Sequence, residues 1–291
     1  MSPTRTDPDQ GLGFRHEVTF YDGTRSFVSA TAPFIREGLA ARERILVLLN
    51  PDKIEALRAE LGTHAAGVTF ADMAEVGHNP ARIIPAWQDF LLDADGAAAR
   101  GIGEPIWAGR SADALIECER HEALLNVAFE GGRPWRLLCP YDERTLEAGT
   151  LREARRNHPF VRSHDVTTAS DTYAGVAAIE STTGEPLSGA PRDAASNGFR
   201  GRSDEVRLVA QELSSNGVRH GGGKGTLRTW TQNESLIVEV RSGEQIVDPL
   251  AGRHRPVAGT GGYGLWIVNQ LADLVQIRND ALGSTVRAHF I

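Results

Sequence analysis

The chain has 291 residues, of which 41% are hydrophobic and 24% charged, a composition typical of soluble proteins with enough apolar mass for two domains. Its formal net charge of −7 argues against direct nucleic-acid binding, which depends on a basic surface. The sequence contains neither the apolar core of a signal peptide nor a run of about eighteen apolar residues, so we expect a cytoplasmic protein without membrane contact. Only Cys118 and Cys139 are present. They are too few and too ill-spaced for a disulfide framework or a metal-binding cluster, and we interpret both as buried thiols.

Strand-like and helix-like runs alternate through the first half of the chain. Strands are predicted at 18–21, 44–49, 68–70, 105–107 and 135–139, and helices at 26–41, 51–61, 83–91 and 112–129. This alternation predicts an α/β domain in which a mostly parallel sheet is covered by helices on both faces. Such sheets bind ligands beyond the carboxyl ends of their strands. The residues expected at those ends are Tyr21, Asp22, Asn50, Asp72, Tyr141 and Asp142.

Three motifs in this half resemble the MEDS sensory domain, a family named for methanogen, methylotroph and dichloromethane-regulator proteins. They are His16-Glu17-Val18-Thr19-Phe20-Tyr21, Arg120-His121-Glu122-Ala123-Leu124-Leu125-Asn126 and Leu138-Cys139-Pro140-Tyr141-Asp142. The resemblance spans residues 14–162 and implies a three-layer RecA-like scaffold that senses a small molecule or a partner. It implies a sensory ligand near Tyr21, Cys139, Tyr141 and Asp142. Tyr141 and Asp142 could equally turn the chain after a strand.

A change of composition marks the boundary between the two halves. Residues 163–196 are rich in Ser, Thr, Ala, Gly and Pro, which predicts a flexible linker. Because such a segment carries few inter-domain contacts, we expect the two halves to fold separately.

Two features of the second half together predict a nucleotide site. Glu212 and Asn216 are four residues apart, so a helix would place a carboxylate and an amide oxygen on one face. Such oxygens suit Mg²⁺, and the carboxylate could also accept a proton. Downstream, Gly259, Gly261, Gly262 and Gly264 precede or open an apolar helix, where backbone N–H groups can approach phosphates.

The order of these features resembles the GHKL ATP-binding fold of gyrases, histidine kinases and anti-sigma factor kinases. The run Glu-Leu-Ser-Ser-Asn-Gly-Val-Arg-His-Gly, from Glu212 to Gly221, is most similar to the small anti-sigma serine/threonine kinases. We assign residues 197–291 to this α+β two-layer domain. The resemblance implies ATP and Mg²⁺ as cofactors, Glu212 as catalytic base and Asn216 as metal ligand. It implies nucleotide contacts for the four glycines and for Thr285, while His220 could contact phosphate or only cap its helix.

One position departs from the GHKL pattern. The family carries an aspartate that accepts a hydrogen bond from the adenine amino group, and Ser242 stands where the resemblance would place it. A shorter, neutral acceptor predicts weaker ATP binding. Asp248, six residues later, resembles a loop extension of the subfamily or a turn residue before proline.

Three functions follow from these resemblances. The first is an anti-sigma regulator that senses a signal, binds ATP and Mg²⁺, sequesters a sigma factor and phosphorylates a STAS-type antagonist. The second is a catalytically degenerate docking module, which Ser242 favours. The third is a sensor histidine kinase, which His121-Glu122 suggests although it lies before a predicted strand. The signal, the partners and the oligomeric state, with a homodimer as one option, are left open.

Overall fold

The two halves of the chain form two separate sheets. The computed structural model describes residues 13–163, 166–183, 187, 202–220, 225–232, 235–257, 259 and 261–291. Among these residues, no helix combines the length and the apolar character needed to cross a bilayer.

The N-terminal sheet has seven strands, in the spatial order β3-β2-β4-β5-β1-β6-β7. All neighbours pair in parallel except β6 and β7, which form an antiparallel hairpin. The strands are β1 (Phe14–Tyr21), β2 (Arg44–Leu49), β3 (Thr69–Asp72), β4 (Ala99–Gly103), β5 (Trp135–Asp142), β6 (Phe160–Ser163) and β7 (Val166–Ala169).

Helices cover both faces of this sheet, which confirms the predicted three-layer α/β arrangement. One apolar cluster joins the sheet to α1 and α2 through residues such as Phe34 and Leu57, and a second joins its other face to α4 and α5 through Trp87 and Leu124. The helices are α1 (Gly23–Ala40), α2 (Pro51–Leu61), α3 (Met73–Val76), α4 (Ile83–Asp93), α5 (Ala112–Ala128), α6 (Ala148–Asn157) and α7 (Val176–Thr183).

The fourth strand lies earlier in the chain than the sequence predicts. The apolar run 105–107 is not a strand, and β4 instead contains Gly101 and Gly103. A Cβ atom on Gly101 would lie 2.6 Å from the Trp87 ring, and one on Gly103 would lie 3.0 Å from it. The indole ring therefore packs directly on the strand backbone, and the glycines that permit this contact remove the usual strand signal.

The C-terminal sheet is antiparallel, with the order β10-β11-β9-β8. Two helices pack on one of its faces through an apolar cluster that includes Val209, Leu213 and Val268, so the predicted two-layer α+β fold is confirmed. The elements are α8 (Ser203–His220), β8 (Gly225–Gln232), β9 (Ser235–Ser242), α9 (Tyr263–Leu271), β10 (Leu274–Asp280) and β11 (Gly283–Phe290).

Part of the predicted linker is regular structure. The strand β7 pairs with β6, and α7 contributes buried Ala178 and Ile179 to the N-terminal core. Residues 184–186 and 188–201 lie outside the described residues.

The two halves make extensive polar contacts outside the predicted linker, while their separate folding stays a prediction. Glu117 on α5 pairs with Arg278 on β10 at 2.7 Å, and both side chains are buried. Arg120, one turn further along α5, donates a hydrogen bond to the Ile277 carbonyl at 3.1 Å. Leu250, from the C-terminal half, packs into the N-terminal apolar cluster.

Candidate functional site

A cavity of about 560 Å³ opens between α8, the ends of β9 and β11, and the start of α9. Six of the nine residues predicted for the nucleotide site line it. They are Glu212, Asn216, Ser242, Gly261, Gly262 and Gly264.

Glu212 and Asn216 face the cavity because of their spacing on α8. Leu213 and Gly217, each one position further along, are buried toward the sheet, which leaves the carboxylate and the amide half-buried at the cavity wall. A Cβ atom on Gly264 would lie 2.4 Å from Asn216 Nδ2. A glycine is therefore needed at the first turn of α9 to leave room for the Asn216 amide.

The glycines before α9 adopt backbone conformations that other residues disfavour. Gly259, Gly261 and Gly262 have φ values of +87°, +80° and +83°. Gly262 is the N-cap of α9, and the helix N-terminus opens into the cavity with its unpaired N–H groups and positive dipole end. Gly259 is described but does not line the cavity.

Ser242 ends β9 at the polar wall of the cavity. Its hydroxyl lies 2.9 Å from the Ser284 hydroxyl, and Ser284 in turn donates to the Glu244 carbonyl at 2.8 Å. Ser284 pairs with Ser242 in the sheet and faces the cavity, whereas Thr285 pairs with Arg241 and does not line it. Successive strand residues alternate between faces, so the final hairpin offers Ser284 to the site in place of the predicted Thr285.

Two further predicted positions have different outcomes. The side chain of His220 lies outside the described residues, although its backbone ends α8. Asp248 lines the cavity, and its Oδ1 accepts a hydrogen bond from the Leu250 N–H at 2.9 Å. This is the turn role that the sequence offered for Asp248.

The N-terminal half caps the helix that begins at this site. Asn79 is fully buried, and its Nδ2 donates to the carbonyls of Asn269 and Ala272 at 3.0 and 3.3 Å. Arg82 donates to Asn269 through Nε at 2.9 Å and to Gln270 through Nη2 at 2.5 Å. These carbonyls lie at the C-terminal end of α9, where a cation also complements the helix dipole. Sequence reasoning missed both residues, because nothing in their local pattern marks them.

A second contact reaches the loop before α9. Arg253 is buried, and its Nη2 lies 3.5 Å from Glu117 on α5. Burial and the neighbouring Arg120 lower the pKa of Arg253 to about 10, so it remains charged at neutral pH. Asn269 on α9 donates to the Gly252 carbonyl at 2.9 Å. The loop that borders the cavity is thus held by α9 on one side and by the N-terminal half on the other.

The four residues predicted for a sensory ligand do not meet in one place. Tyr21 belongs to the apolar cluster of α1 and α2, whereas Cys139 and Tyr141 belong to the cluster on the opposite face. The Tyr21 hydroxyl donates to Glu104 at 2.6 Å, and burial and that carboxylate raise the pKa of Tyr21 well above its usual value. Asp142 Oδ1 accepts from the Arg144 N–H at 3.0 Å, which is a turn contact.

Cys139 instead lies in a buried polar cluster with His16, Glu122 and His158. Burial is the main reason that the pKa of His16 is lowered to about 4, and the nearby His158 lowers it further. Burial alone would raise the pKa of Glu122, but hydrogen bonds and charge from the two histidines hold it below its usual range.

His121, the residue that suggested a histidine kinase, is 1% exposed on α5. Burial lowers its pKa to about 3. A phosphoacceptor must be accessible to a transferring site, so this burial counts against the histidine-kinase interpretation.

Comparison with protein families gives one match in each half. Residues 15–159 match the MEDS family, described as the methanogen/methylotroph, DcmR sensory domain. Residues 190–290 match the histidine kinase-like ATPase domain. Comparison with curated proteins gives no match.

Proposed function

We propose that this chain, in which a MEDS sensory domain is followed by a histidine kinase-like ATPase domain, is a signal-responsive anti-sigma regulator. Its ATPase domain would bind ATP and Mg²⁺, phosphorylate a serine or threonine of a STAS-type antagonist, and sequester a sigma factor. The domain pair fits a regulatory ATPase or kinase, and an ATPase domain of this type implies nucleotide binding, usually with Mg²⁺.

The cavity beside α8 is the observation that carries this proposal. It combines an amide oxygen of Asn216, a carboxylate of Glu212 and the glycine-lined N-terminus of α9. Its volume of about 560 Å³ falls within the range of small-molecule and cofactor sites. These groups fit a magnesium nucleotide, because Mg²⁺ prefers oxygen ligands and phosphate oxygens bind at helix N-termini.

The residues have distinct roles in this proposal. Asn216 offers its amide oxygen to Mg²⁺, and the N–H groups at the start of α9 bind phosphate oxygens. The nucleotide supplies the γ-phosphoryl group, which passes to the hydroxyl oxygen of the acceptor while ADP leaves. Glu212 accepts the proton that the hydroxyl loses.

Inter-domain contacts support the signal-responsive part of the proposal. Asn79 and Arg82 of the sensory domain bind the C-terminal end of α9, whose N-terminal end borders the cavity. A displacement in the sensory domain would therefore move the same helix that binds phosphate. Such a two-ended element is a physical route for coupling the two domains.

Ser242 favours the docking module as a second candidate. Its hydroxyl already hydrogen bonds with Ser284, and position 242 itself has a serine where the family pattern has a carboxylate. A domain that had lost nucleotide chemistry could still bind a sigma factor through its surface.

A phosphotransfer assay with the full chain tests the proposal. We expect acid-stable phosphate on the antagonist, and we expect Glu212→Gln to retain Mg·ATP affinity but to reduce transfer by roughly 100-fold or more. Equal transfer by the variant would remove Glu212 from the mechanism. Sigma-factor binding without any ATP binding would favour the docking module, and acid-labile phosphate on the chain itself would favour a histidine kinase.

A further inference from the structure

The buried cluster in the sensory domain contains four potential metal ligands from four separate places in the fold. His16 lies on β1, Glu122 on α5 and Cys139 on β5, and His158 follows α6. None of the four is more than 1% exposed. One ligand atom from each side chain can be chosen so that all four atoms lie within 4.8 Å of one another.

The hydrogen bonds of His16 fix its orientation. Asn126 donates through Nδ2 to the Asn157 carbonyl at 2.8 Å, which turns its Oδ1 toward His16 Nδ1 at 3.2 Å. Since Oδ1 can only accept, His16 Nδ1 carries a proton and donates it. The neutral ring therefore directs the lone pair of Nε2 into the cluster.

His158 is oriented in the same way. Its Nδ1 donates to the Ala154 carbonyl at 2.6 Å, so Nε2 is the ring nitrogen that faces the cluster, 3.1 Å from Glu122 Oε2. In metal sites, histidine ligands usually donate their other ring N–H to a carboxylate, a backbone carbonyl or water, and this contact fixes the tautomer. His158 has a backbone carbonyl as this partner, and His16 has the Asn126 amide oxygen in the same place.

Four potential ligand atoms converge on one point. Glu122 Oε2 lies 3.1 Å from Nε2 of His16 and 3.1 Å from Nε2 of His158. Cys139 Sγ lies 3.3 Å from His16 Nε2. The other carboxylate oxygen of Glu122 is buried and makes no hydrogen bond with any described residue. Lone pairs this close require either shared protons, such as that of the Cys139 thiol, or a cation between them.

The donor set is one that zinc binds in proteins. Zn–N, Zn–O and Zn–S bonds of 2.0–2.3 Å place neighbouring donors about 3.3–3.6 Å apart, close to the three contacts of 3.1, 3.1 and 3.3 Å in the cluster, and all four atoms lie within 4.8 Å of one another. One thiolate and one carboxylate also balance the charge of a divalent ion, which a buried site requires. We propose that His16, Glu122, Cys139 and His158 bind one Zn²⁺ ion inside the sensory domain. Binding replaces the Cys139 thiol proton with the metal and releases that proton to solvent.

Metal content and spectroscopy of the full chain test this proposal. The protein is purified without a polyhistidine tag, and we expect about one zinc per chain by elemental analysis. After removal of zinc by a chelator, Co²⁺ should restore the site and produce a thiolate-to-cobalt charge-transfer band. X-ray absorption at the zinc edge of the unaltered protein should show one sulfur and two imidazole ligands.

Two cysteine variants separate the site from a general effect of thiols. Cys139→Ser removes a proposed ligand and should lower Co²⁺ affinity by at least the roughly 10- to 100-fold that the loss of a ligand's hydrogen-bond partner costs, and it should abolish the charge-transfer band. Cys118→Ser is the matched control, because Cys118 is equally buried but donates to the Pro105 carbonyl outside the cluster. The Cys118→Ser variant should retain both the bound metal and the charge-transfer band.

Several results would overturn the proposal. They are a folded wild-type chain that contains no zinc and gives no cobalt band, an equal loss of metal in the two cysteine variants, and a zinc-edge spectrum without sulfur. If Cys139→Ser does not fold, the metal content and the zinc-edge spectrum of the wild-type chain decide the question alone.

Discussion

Ser242 is the residue at which this chain departs from the family that its C-terminal domain resembles. Its side chain reaches the cavity from the end of β9, beside Ser284. An aspartate at this position would reach further and could accept from the Ser284 hydroxyl as well as from an adenine amino group. The geometry is therefore compatible with an adenine-reading carboxylate at position 242, where this chain has a serine.

We expect Ser242→Asp to tighten ATP binding by roughly ten-fold, because a charged acceptor replaces a neutral one. The affinity for GTP should increase less, because the carbonyl at position six of guanine and the new carboxylate are both acceptors and cannot hydrogen bond with each other. Calorimetric titration of both proteins with ATP and GTP at one Mg²⁺ concentration measures the difference. Unchanged ATP affinity, or equal gains for both nucleotides, would show that this position does not read adenine.

At the scale of elements, α9 is bound at both ends. Its N-terminus borders the cavity, and Asn79 and Arg82 donate hydrogen bonds to the carbonyls at its C-terminus. Arg82→Met should leave these carbonyls without the charged donor. We expect this loss to lower the free energy of unfolding by about 1–3 kcal/mol. We expect faster amide hydrogen exchange in the last turn of α9 and several-fold weaker Mg·ATP binding.

Arg255→Met is the matched control for this prediction. Arg255 also crosses between the halves, where it pairs with Asp89 at 3.3 Å, but both side chains are largely exposed. Such pairs contribute little to stability, so this variant should behave as the wild type. Similar exchange rates in the two variants would contradict the proposed role of Arg82.

The sequence predicts elements well where local pattern and spacing determine them. The alternation of strands and helices predicted the fold of the first domain, and the four-residue spacing of Glu212 and Asn216 predicted one wall of the cavity. It does not predict contacts between distant segments. Asn79 and Asn269 are 190 residues apart, and His16 and Cys139 are 123 apart. Cysteine spacing therefore gave no sign of the polar cluster around Cys139.

At the scale of the whole molecule, buried neutral histidines make stability depend on pH. His289 hydrogen bonds with Gln276 at 3.0 Å against the inter-domain face of the C-terminal sheet. Burial lowers its pKa to about 4, although Asp113 partly opposes the shift and Arg287 adds to it. The unfolded chain therefore binds more protons than the folded chain between about pH 6.5 and pH 4, and stability falls as pH falls through that window.

We expect His289→Gln to lose less stability than the wild type between pH 7 and pH 5, by on the order of 1–2 kcal/mol. Glutamine keeps a polar group near Gln276 but takes up no proton. Urea unfolding at the two pH values measures this difference. Exposed His64→Gln serves as control and should follow the wild type. An unchanged pH dependence in His289→Gln would show that His289 does not contribute.

Calorimetric titration of the full chain with ATP is the direct test of a magnesium-nucleotide site in the cavity beside α8. Asn216→Ala should bind Mg·ATP on the order of 10- to 100-fold more weakly and lose the Mg²⁺ dependence of binding, because its amide oxygen is the proposed metal ligand. Ser215→Ala is the matched control, since Ser215 is exposed on the same helix and does not line the cavity. It should bind as the wild type. Unchanged, Mg²⁺-dependent ATP affinity in a folded Asn216→Ala variant would rule out Asn216 as the metal ligand and count against a magnesium-nucleotide site in this cavity.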